Sequence, residues 1–442
     1  MTTRTRRLKA VTAVATAFAA MLGFTACTGG GAGEAPKASV TPDAPVSLTF
    51  WTGQSDEAEK LLEKLAAEFH SLHPNVTIET SSGASSTEEL LQKLSAGFAS
   101  GTYPNISYSF GSWASELETS GKTQDITDLV ADPAIKWDEF SEAARATVRP
   151  TGTKTIGFPA LVDNISLIYN KTVFDAAGVA YPTENWTWDD FRSAAKQMTS
   201  AAKQTYGYAY SVSGSEETTW QFWPHLWQNG GKILSDDKTK AAFASPEGEK
   251  ALEFLRAMAV DDKSVYIDQT DTKFAQLFAA NRVGMMTSGP WQLYDLQTAK
   301  TKYGVTVLPG TNGDHQTVSG PDIWALMDTG DANENHWSFE FLKWLTDPAQ
   351  DVRWNVAYGN LPLRNSELDS PEFKAHVKAL PGLDVMAANS ANAKQARPTV
   401  AGYVGLSEAI GSAISHVLQG DGTPAAALAT AAKKADDALA NR

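Results

Sequence analysis

TIGFPALVDNISLIYNKTVFDAAGVAYPTENWTWDDFRSAAKQM, residues 155–198, decides the fold class. Its run from Ile165 to Tyr169 is aliphatic and aromatic, the composition of a buried strand. Asn170-Lys171 ends that run. Val173, Phe174 and Ala177 then recur at helical spacing up to Gly178, a residue that accepts the left-handed conformation closing a helix. Pro182 imposes an extended link. Thr187 is placed to cap a second helix, with Asp190 three residues on as its reciprocal partner. Strand, helix, proline link and capped helix form a βαβ-type fragment, so an α/β chain is expected.

The same stretch carries a resemblance. Pro159, Asp163, the aliphatic strand, Tyr169-Asn170-Lys171, Phe174, Ala177-Gly178, Pro182, Trp186-Thr187-Trp188 and Asp190-Phe191 follow one another in order. That order resembles the signature of family 1 extracellular solute-binding proteins, the maltose/maltodextrin-type receptors of ABC importers. The resemblance implies a two-lobed periplasmic-binding-protein-like fold, each lobe a sheet flanked by helices, with about three crossings between them. The expected lobes are 46–162 with 320–357, and 163–319 with 358–442.

Outward from this stretch, the opening of the chain fits the same plan. Val46 to Trp51 reads as a strand, Asp56 onward as a helix with Leu61, Leu62, Leu65 and Phe69 on one face, and Val76 to Glu79 as the next strand. A second amphipathic helix over Glu88–Phe98 leads to a strand at Ile106–Phe110. This βαβαβ start resembles the family's first lobe.

Residues 1–26 read as a leader. Arg4, Arg6, Arg7 and Lys9 form a basic segment, and Ala10 to Gly23 a short apolar one, too short for a transmembrane span. Phe24-Thr25-Ala26-Cys27 reads as a lipobox, with Cys27, the only cysteine, as the lipidated residue. A single cysteine excludes an intrachain disulfide. Arg6-Arg7 raises twin-arginine export, but no strong hydrophobic pair follows, so the general route is expected. Residues 27–45 are Gly/Pro-rich and read as a flexible tether. The formal charge of −14 becomes −18 once the four basic leader residues are gone. So acidic a surface argues against nucleic acid or a polybasic membrane contact.

The candidate ligand residues follow from the resemblance. Gln54 lies in the turn after the first strand. Ser109, Ser112 and Trp113 stand where maltodextrin receptors carry acidic and arginine side chains, so a maltodextrin ligand is not implied. Asp163 and Asn164 sit at the first crossing, where those receptors place an acidic sugar-binding residue. Trp220, Trp223 and Trp227 fall on one helical face, interrupted at Pro224. At least one is expected in the core, and Trp220 or Trp223 at the cleft. Phe274 to Tyr294 matches a family block whose tryptophan, Trp291 here, commonly stacks on a sugar ring. Physically, the apolar face of a pyranose packs on an aromatic face while its hydroxyls demand polar partners at the rim. Gly320, Asp322 and Trp324 share one face of a strand over Ser319–Met327, where the family's chain returns to lobe one. Arg397-Pro398 and Tyr403 resemble a cleft-lining segment.

Competing chemistry is thin. His70 and His73 stand without a companion ligand set, so no metal site is expected. There is no GxSxG, P-loop or strand-following GxGxxG, and no cofactor is implied. Asp189-Asp190 and Glu216-Glu217 are the acid pairs a glycoside hydrolase would need, but adjacent acids of this kind are expected to be solvated. The expected function is therefore binding of a small neutral carbohydrate by a monomer. It would deliver the sugar to membrane permease subunits powered by separate ATPase subunits. A receptor for a phosphorylated polyol is the alternative, with Arg397 and Arg364 as the nearest basic residues.

Overall fold

The computed structural model describes residues 39–441 apart from 55, 85, 86, 215, 271, 272, 357 and 358. The expected leader, Cys27 and most of the tether lie outside the described residues, as does Tyr358 of the expected last crossing. Strands β1 (Val46–Trp51), β2 (Val76–Ser81), β3 (Ile106–Ser109) and β4 (Gly157–Leu161) come first in the chain. They are followed by β5 (Ser166–Asn170), β6 (Tyr206–Ser211), β7 (Val265–Asp268), β8 (Val283–Ser288) and β9 (Tyr303–Thr306). The last three are β10 (Val318–Ser319), β11 (Asp322–Leu326) and β12 (Gln395–Ala396).

Two five-stranded sheets result, ordered β2-β1-β3-β11-β4 and β7-β6-β8-β5-β9. In the first, β1 runs parallel to β2 and β3, and the late strand β11 inserts antiparallel between β3 and β4. In the second, β6 runs parallel to β7 and β8, while β5 is antiparallel to β8 and β9. Both sheets thus mix a parallel βαβ run with one returning strand. The two lobes are those sheets with their helices.

Burial explains which residues became strands. In β1 Val46, Leu48 and Phe50 are buried while Ser47 is exposed, the period-two pattern of a strand with one face on the core. β4, β8 and β11 are buried at every position, as expected for strands covered on both faces. Leu62, Leu65 and Phe69 of the helix Asp56–Leu72 and Phe341, Leu342 and Leu345 of Ala332–Leu345 pack on one face of the first sheet. The second sheet is covered by two clusters. One joins Tyr208 and Met285 to Phe191, Trp223, Leu406 and Ile410, and the other joins Ile168 and Met286 to Phe278, Leu293 and Met386. Helix Tyr403–Leu418 therefore belongs to the second lobe.

Between the sheets, three stretches of chain run side by side. Leu361 N–H donates to Val162 O at 3.1 Å, and Ile165 N–H donates to Val318 O at 3.3 Å. Thr317 Oγ1 donates to Ile165 O at 2.5 Å and Ser319 Oγ to Asp163 O at 3.0 Å. β10 pairs with β12 in a separate parallel ladder beside them.

Several local expectations hold. Asp190 N–H and Thr187 Oγ1 pair at 3.2 Å, and Thr187 N–H returns to Asp190 Oδ2 at 2.9 Å, completing the capping box. Gly178 closes the preceding helix with φ 68°. Two expectations are corrected. The strand expected from Ser319 to Met327 is split, because Gly320 gives its N–H to Asp163 and Pro321 has none to give. The tryptophan helix is not interrupted at Pro224; it runs unbroken from Glu216 to Gln228.

One buried acid pair sits beside the third crossing. Asp351 accepts from Leu363 N–H at 3.1 Å and from Asn355 Nδ2 at 3.0 Å, and Glu367 is packed next to it with 3% of its surface exposed. Burial, then the negative charge of Asp351, pushes Glu367 from an ordinary 4.5 up to about 10, with Arg364 opposing. The folded chain therefore holds a proton that the unfolded chain releases above pH 4.5. Stability must fall as pH rises through the window from 4.5 to about 10. Glu367→Gln, which keeps the shape and cannot ionise, is expected to melt higher than the parent at pH 8, with the difference vanishing below pH 5. Thermal denaturation against pH checks this; a variant that melts lower at pH 8 would contradict a protonated Glu367 in the folded chain.

Candidate ligand-binding cleft

The lobes face each other across a cavity of about 510 Å³. Lobe one contributes Gln92 and Ser95 from helix Thr87–Ser100 and the indole of Trp113; lobe two contributes Ser213, Gly214, Glu216, Ser407 and Glu408. Among the described residues lining it, none is basic.

Behind this wall lies a buried ionic cluster. Arg397 Nη1 donates to Glu216 Oε1 at 3.0 Å, and Nη2 to Asp322 Oδ1 at 3.3 Å. Its guanidinium lies 4.2 Å from the centre of the Trp220 ring. Glu216 is saturated: Oε1 also takes Tyr403 OH at 3.1 Å, and Oε2 takes Ser407 Oγ at 2.7 Å. Asp322 accepts from Tyr108 OH at 2.6 Å and Gly111 N–H at 3.0 Å. Glu216 and Tyr403 are in lobe two and Asp322 is in lobe one, so Arg397 bridges the lobes.

Asp163 adds a further carboxyl. It is 6% exposed and accepts from Gly320 N–H at 3.2 Å. Burial, reinforced by the charge of Asp322 and opposed by Arg397, raises its pKa well above the ordinary carboxylate range. Burial also raises that of Asp322, against the pull of Arg397 and its hydrogen bonds. Gly320 is needed here on steric grounds. An added Cβ would lie 2.2 Å from the Trp220 ring and 2.5 Å from Arg397 Nη2.

This geometry, two lobes joined by adjacent crossings with a cleft between them, agrees with the comparisons. A model of the bacterial extracellular solute-binding proteins matches residues 64–381. The chain belongs to the bacterial extracellular solute-binding proteins. A putative binding protein of Brucella abortus is 25% identical over 391 residues, covering 85% of this chain and 89% of that one. The sn-glycerol-3-phosphate-binding periplasmic protein UgpB of Yersinia enterocolitica is 23% identical over 410 residues, covering 89% and 92%. A solved solute-binding protein of an ABC transporter from Thermotoga lettingae, bound with α-D-tagatose, superposes with a TM-score of 0.78 at 25% identity. That match covers 89% of this chain and 99% of that one.

Within this solute-binding protein the expected residues separate into layers. Trp113 lines the cavity, while Trp220, Gly320, Asp322, Asp163 and Arg397 form the layer beneath it. Gln54 is half-buried beyond β1, and Ser109 turns its hydroxyl back to Tyr108 O at 2.7 Å. Ser112 is buried between Gly111 and Trp113. Trp291 is half-buried at the start of helix Trp291–Thr298, its ring over Gly289. Three residues are corrected from cleft to interior. Trp324 is fully enclosed in the lobe-one core among Phe50, Tyr108 and Trp354. Trp223 is also fully enclosed, its Nε1 donating to Tyr403 OH at 3.1 Å, so the pair supports Glu216 from behind. Asn164 is tied to Met386 O at 2.8 Å and to Ser390 Oγ at 3.1 Å.

The main residue that sequence reasoning missed is Glu216, expected to be solvated and found 8% exposed at the centre of the cluster. A signal was present: Glu216 and Trp220 are four apart on one helix, which puts the carboxylate on the indole's face. Replacing Arg397 by Gln would leave Glu216 and Asp322 buried without a counter-charge, a loss worth about 3–5 kcal/mol. Arg397→Gln is thus expected to lower the melting temperature of the ligand-free protein markedly. An unchanged melting curve would show that the cluster is not buried in solution.

Proposed function

We propose that this chain is the extracytoplasmic substrate-binding subunit of an ABC importer and that its ligand is a small carbohydrate. One observation carries the sugar reading. Near the cleft, buried polar atoms of both lobes have no partner among the described residues: Ser112 Oγ in lobe one, and Trp220 Nε1 and Arg397 Nε beneath the cavity. Donors and acceptors orphaned together suit a ligand that offers both, as sugar hydroxyls do, and each orphan left unmet costs about 1–3 kcal/mol. Trp113 supplies an apolar wall, and Trp291 is proposed as a stacking surface with Asp163 as a hydroxyl acceptor. The tagatose complex of the structural relative supports the same class.

A phosphorylated polyol is the weaker reading, although a glycerol-phosphate receptor is among the relatives. A phosphate asks for a free cation in the cleft. Arg397 is already held by Glu216 and Asp322, and Arg364 lies over Phe140 at 4.1 Å in lobe one, donating to Thr346 O and Ile135 O. The family's role is binding and transport, so no reaction is assigned. The proposed lobes are 46–162 with 320–357, and 163–319 with 358–442, although Leu363 and Arg364 pack against the first lobe. The working unit is a monomer that delivers its ligand to a permease pair.

Thermal shift and calorimetric titration over mono-, di- and trisaccharides and polyol phosphates test the ligand class. A sugar at a hundredfold excess over Kd should stabilise the fold by about 2.7 kcal/mol, and Trp291→Ala should weaken that binding. Stabilisation by polyol phosphates alone would overturn the sugar reading.

Export and lipid attachment at Cys27 complete the proposal. They are supported by the lipobox-like run before the sole cysteine and by the absence, among the described residues, of a helix long and apolar enough to cross a membrane. A Cys27→Ala protein should move from the membrane fraction to the medium. Retention at the membrane would refute the anchor.

A further inference from the structure

Glu116 is outside the hinge and outside the Arg397 cluster, yet it joins the lobes. It sits on helix Ala114–Thr119, directly after β3 in lobe one. Its Oε1 accepts from the N–H of Gly402 at 2.9 Å, and the N–H of Val404 also bonds to its carboxyl. Gly402 has φ 86° and is the N-cap of helix Tyr403–Leu418 in lobe two, where it offers no side-chain cap. A sixteen-residue helix with a glycine at its N-cap leaves its first amides to be met from elsewhere. Tyr403 N–H goes to Val400 O at 3.1 Å, while the Gly402 and Val404 amides are met by a carboxyl group from the opposite lobe.

The second oxygen of that carboxyl, Oε2, is buried and has no partner among the described residues. The charged and titratable groups around it are mostly acidic or already engaged. Glu216, from helix Glu216–Gln228, faces it with negative charge. Arg397 is bound to Glu216 and Asp322, Tyr403 gives its hydroxyl to Glu216, and Glu408 lies exposed farther along the capped helix. An unpaired oxygen beside another carboxylate, with the nearest cation engaged, is a place for a proton.

We propose that Glu116 is a cross-lobe clasp: in the closed form it caps helix Tyr403–Leu418 from lobe one and carries a proton on its free oxygen, so that acidification favours closure. The direction follows from linkage. Burial first, then Glu216, raises the Glu116 pKa from 4.5 to about 7, against the pull of its own backbone amide and those of Gly402 and Val404. Opening the lobes returns the carboxyl to water and to its ordinary value. Closing therefore takes up a proton between 4.5 and about 7, and the closed population rises as pH falls through that window. The clasp does not depend on which solute the cleft accepts.

The test needs no ligand. Fluorophores on Lys64→Cys and Lys250→Cys, in the full chain carrying Cys27→Ala, report lobe closure by single-molecule energy transfer. From about pH 8 to about pH 5.5 the ratio of closed to open parent molecules should rise several-fold. Glu116→Gln, neutral at every pH and still able to accept from Gly402 N–H, should close readily and show no pH response. Glu116→Ala should stay more open than the parent at both values. A pH response that persists in Glu116→Gln would assign the proton to another carboxyl and overturn the proposal. So would an unresponsive parent, or a Glu116→Ala protein that closes like the parent. Melting curves of the three proteins confirm that each is folded.

Discussion

Arg397 is enclosed by two lobes that supply its counter-charges separately. Its partner in lobe two, Glu216, lies 3.0 Å away, and its partner in lobe one, Asp322, lies 3.3 Å away. Taking such groups out of water is expensive, and their mutual attraction returns roughly what desolvation costs. Closure of the lobes thus exchanges hydration of Asp322 for a bond to Arg397 with little net gain. The arrangement fixes the geometry of the closed form without making it strongly preferred. A receptor of this kind leaves the balance to the ligand, whose differential affinity for the two forms decides the population.

The hinge permits that balance because its restraints are local. Three stretches held by backbone hydrogen bonds, such as Leu361 to Val162 and Ile165 to Val318, can twist while keeping their register. Asp163 and Gly320 occupy the middle of the bundle, the carboxyl of one bonded to the amide of the other. The steric demand at Gly320 reaches from that point to Trp220 and Arg397. Hinge, indole and ion pair are therefore in contact, which connects the crossings to the floor of the cleft.

What was legible in the sequence was local or periodic. The Thr187–Asp190 capping box, the Gly178 terminator and the alternating strand β1 were readable because neighbours within a few residues determine them. The ordered family signature gave the two-lobed plan, although β4, β6 and β7 were not singled out. Tyr206–Ser211, for example, is mostly polar or aromatic, and tertiary packing makes it a buried strand. Glu216 was misjudged for the same reason. Whether an acid is solvated depends on Arg397, 181 positions away, which no local pattern announces. Trp324 shows the converse: its place in a strand was legible, but the rings that enclose it, Phe50 and Trp354, come from distant parts of the chain.

The orphaned atoms link binding to motion. Ser112 lies in lobe one beside Trp113, and Trp220 in lobe two beneath the cavity, and each holds a buried polar atom with no partner among the described residues. In an open form water can reach such atoms at little cost, whereas closure without a ligand strands them at about 1–3 kcal/mol apiece. Each 1.4 kcal/mol corresponds to a tenfold change in population. Two unmet atoms are therefore enough to disfavour an empty closed state by one or more orders of magnitude, and a ligand that meets both removes the penalty. A ligand that met those atoms on closure would thereby make closure report that it is bound.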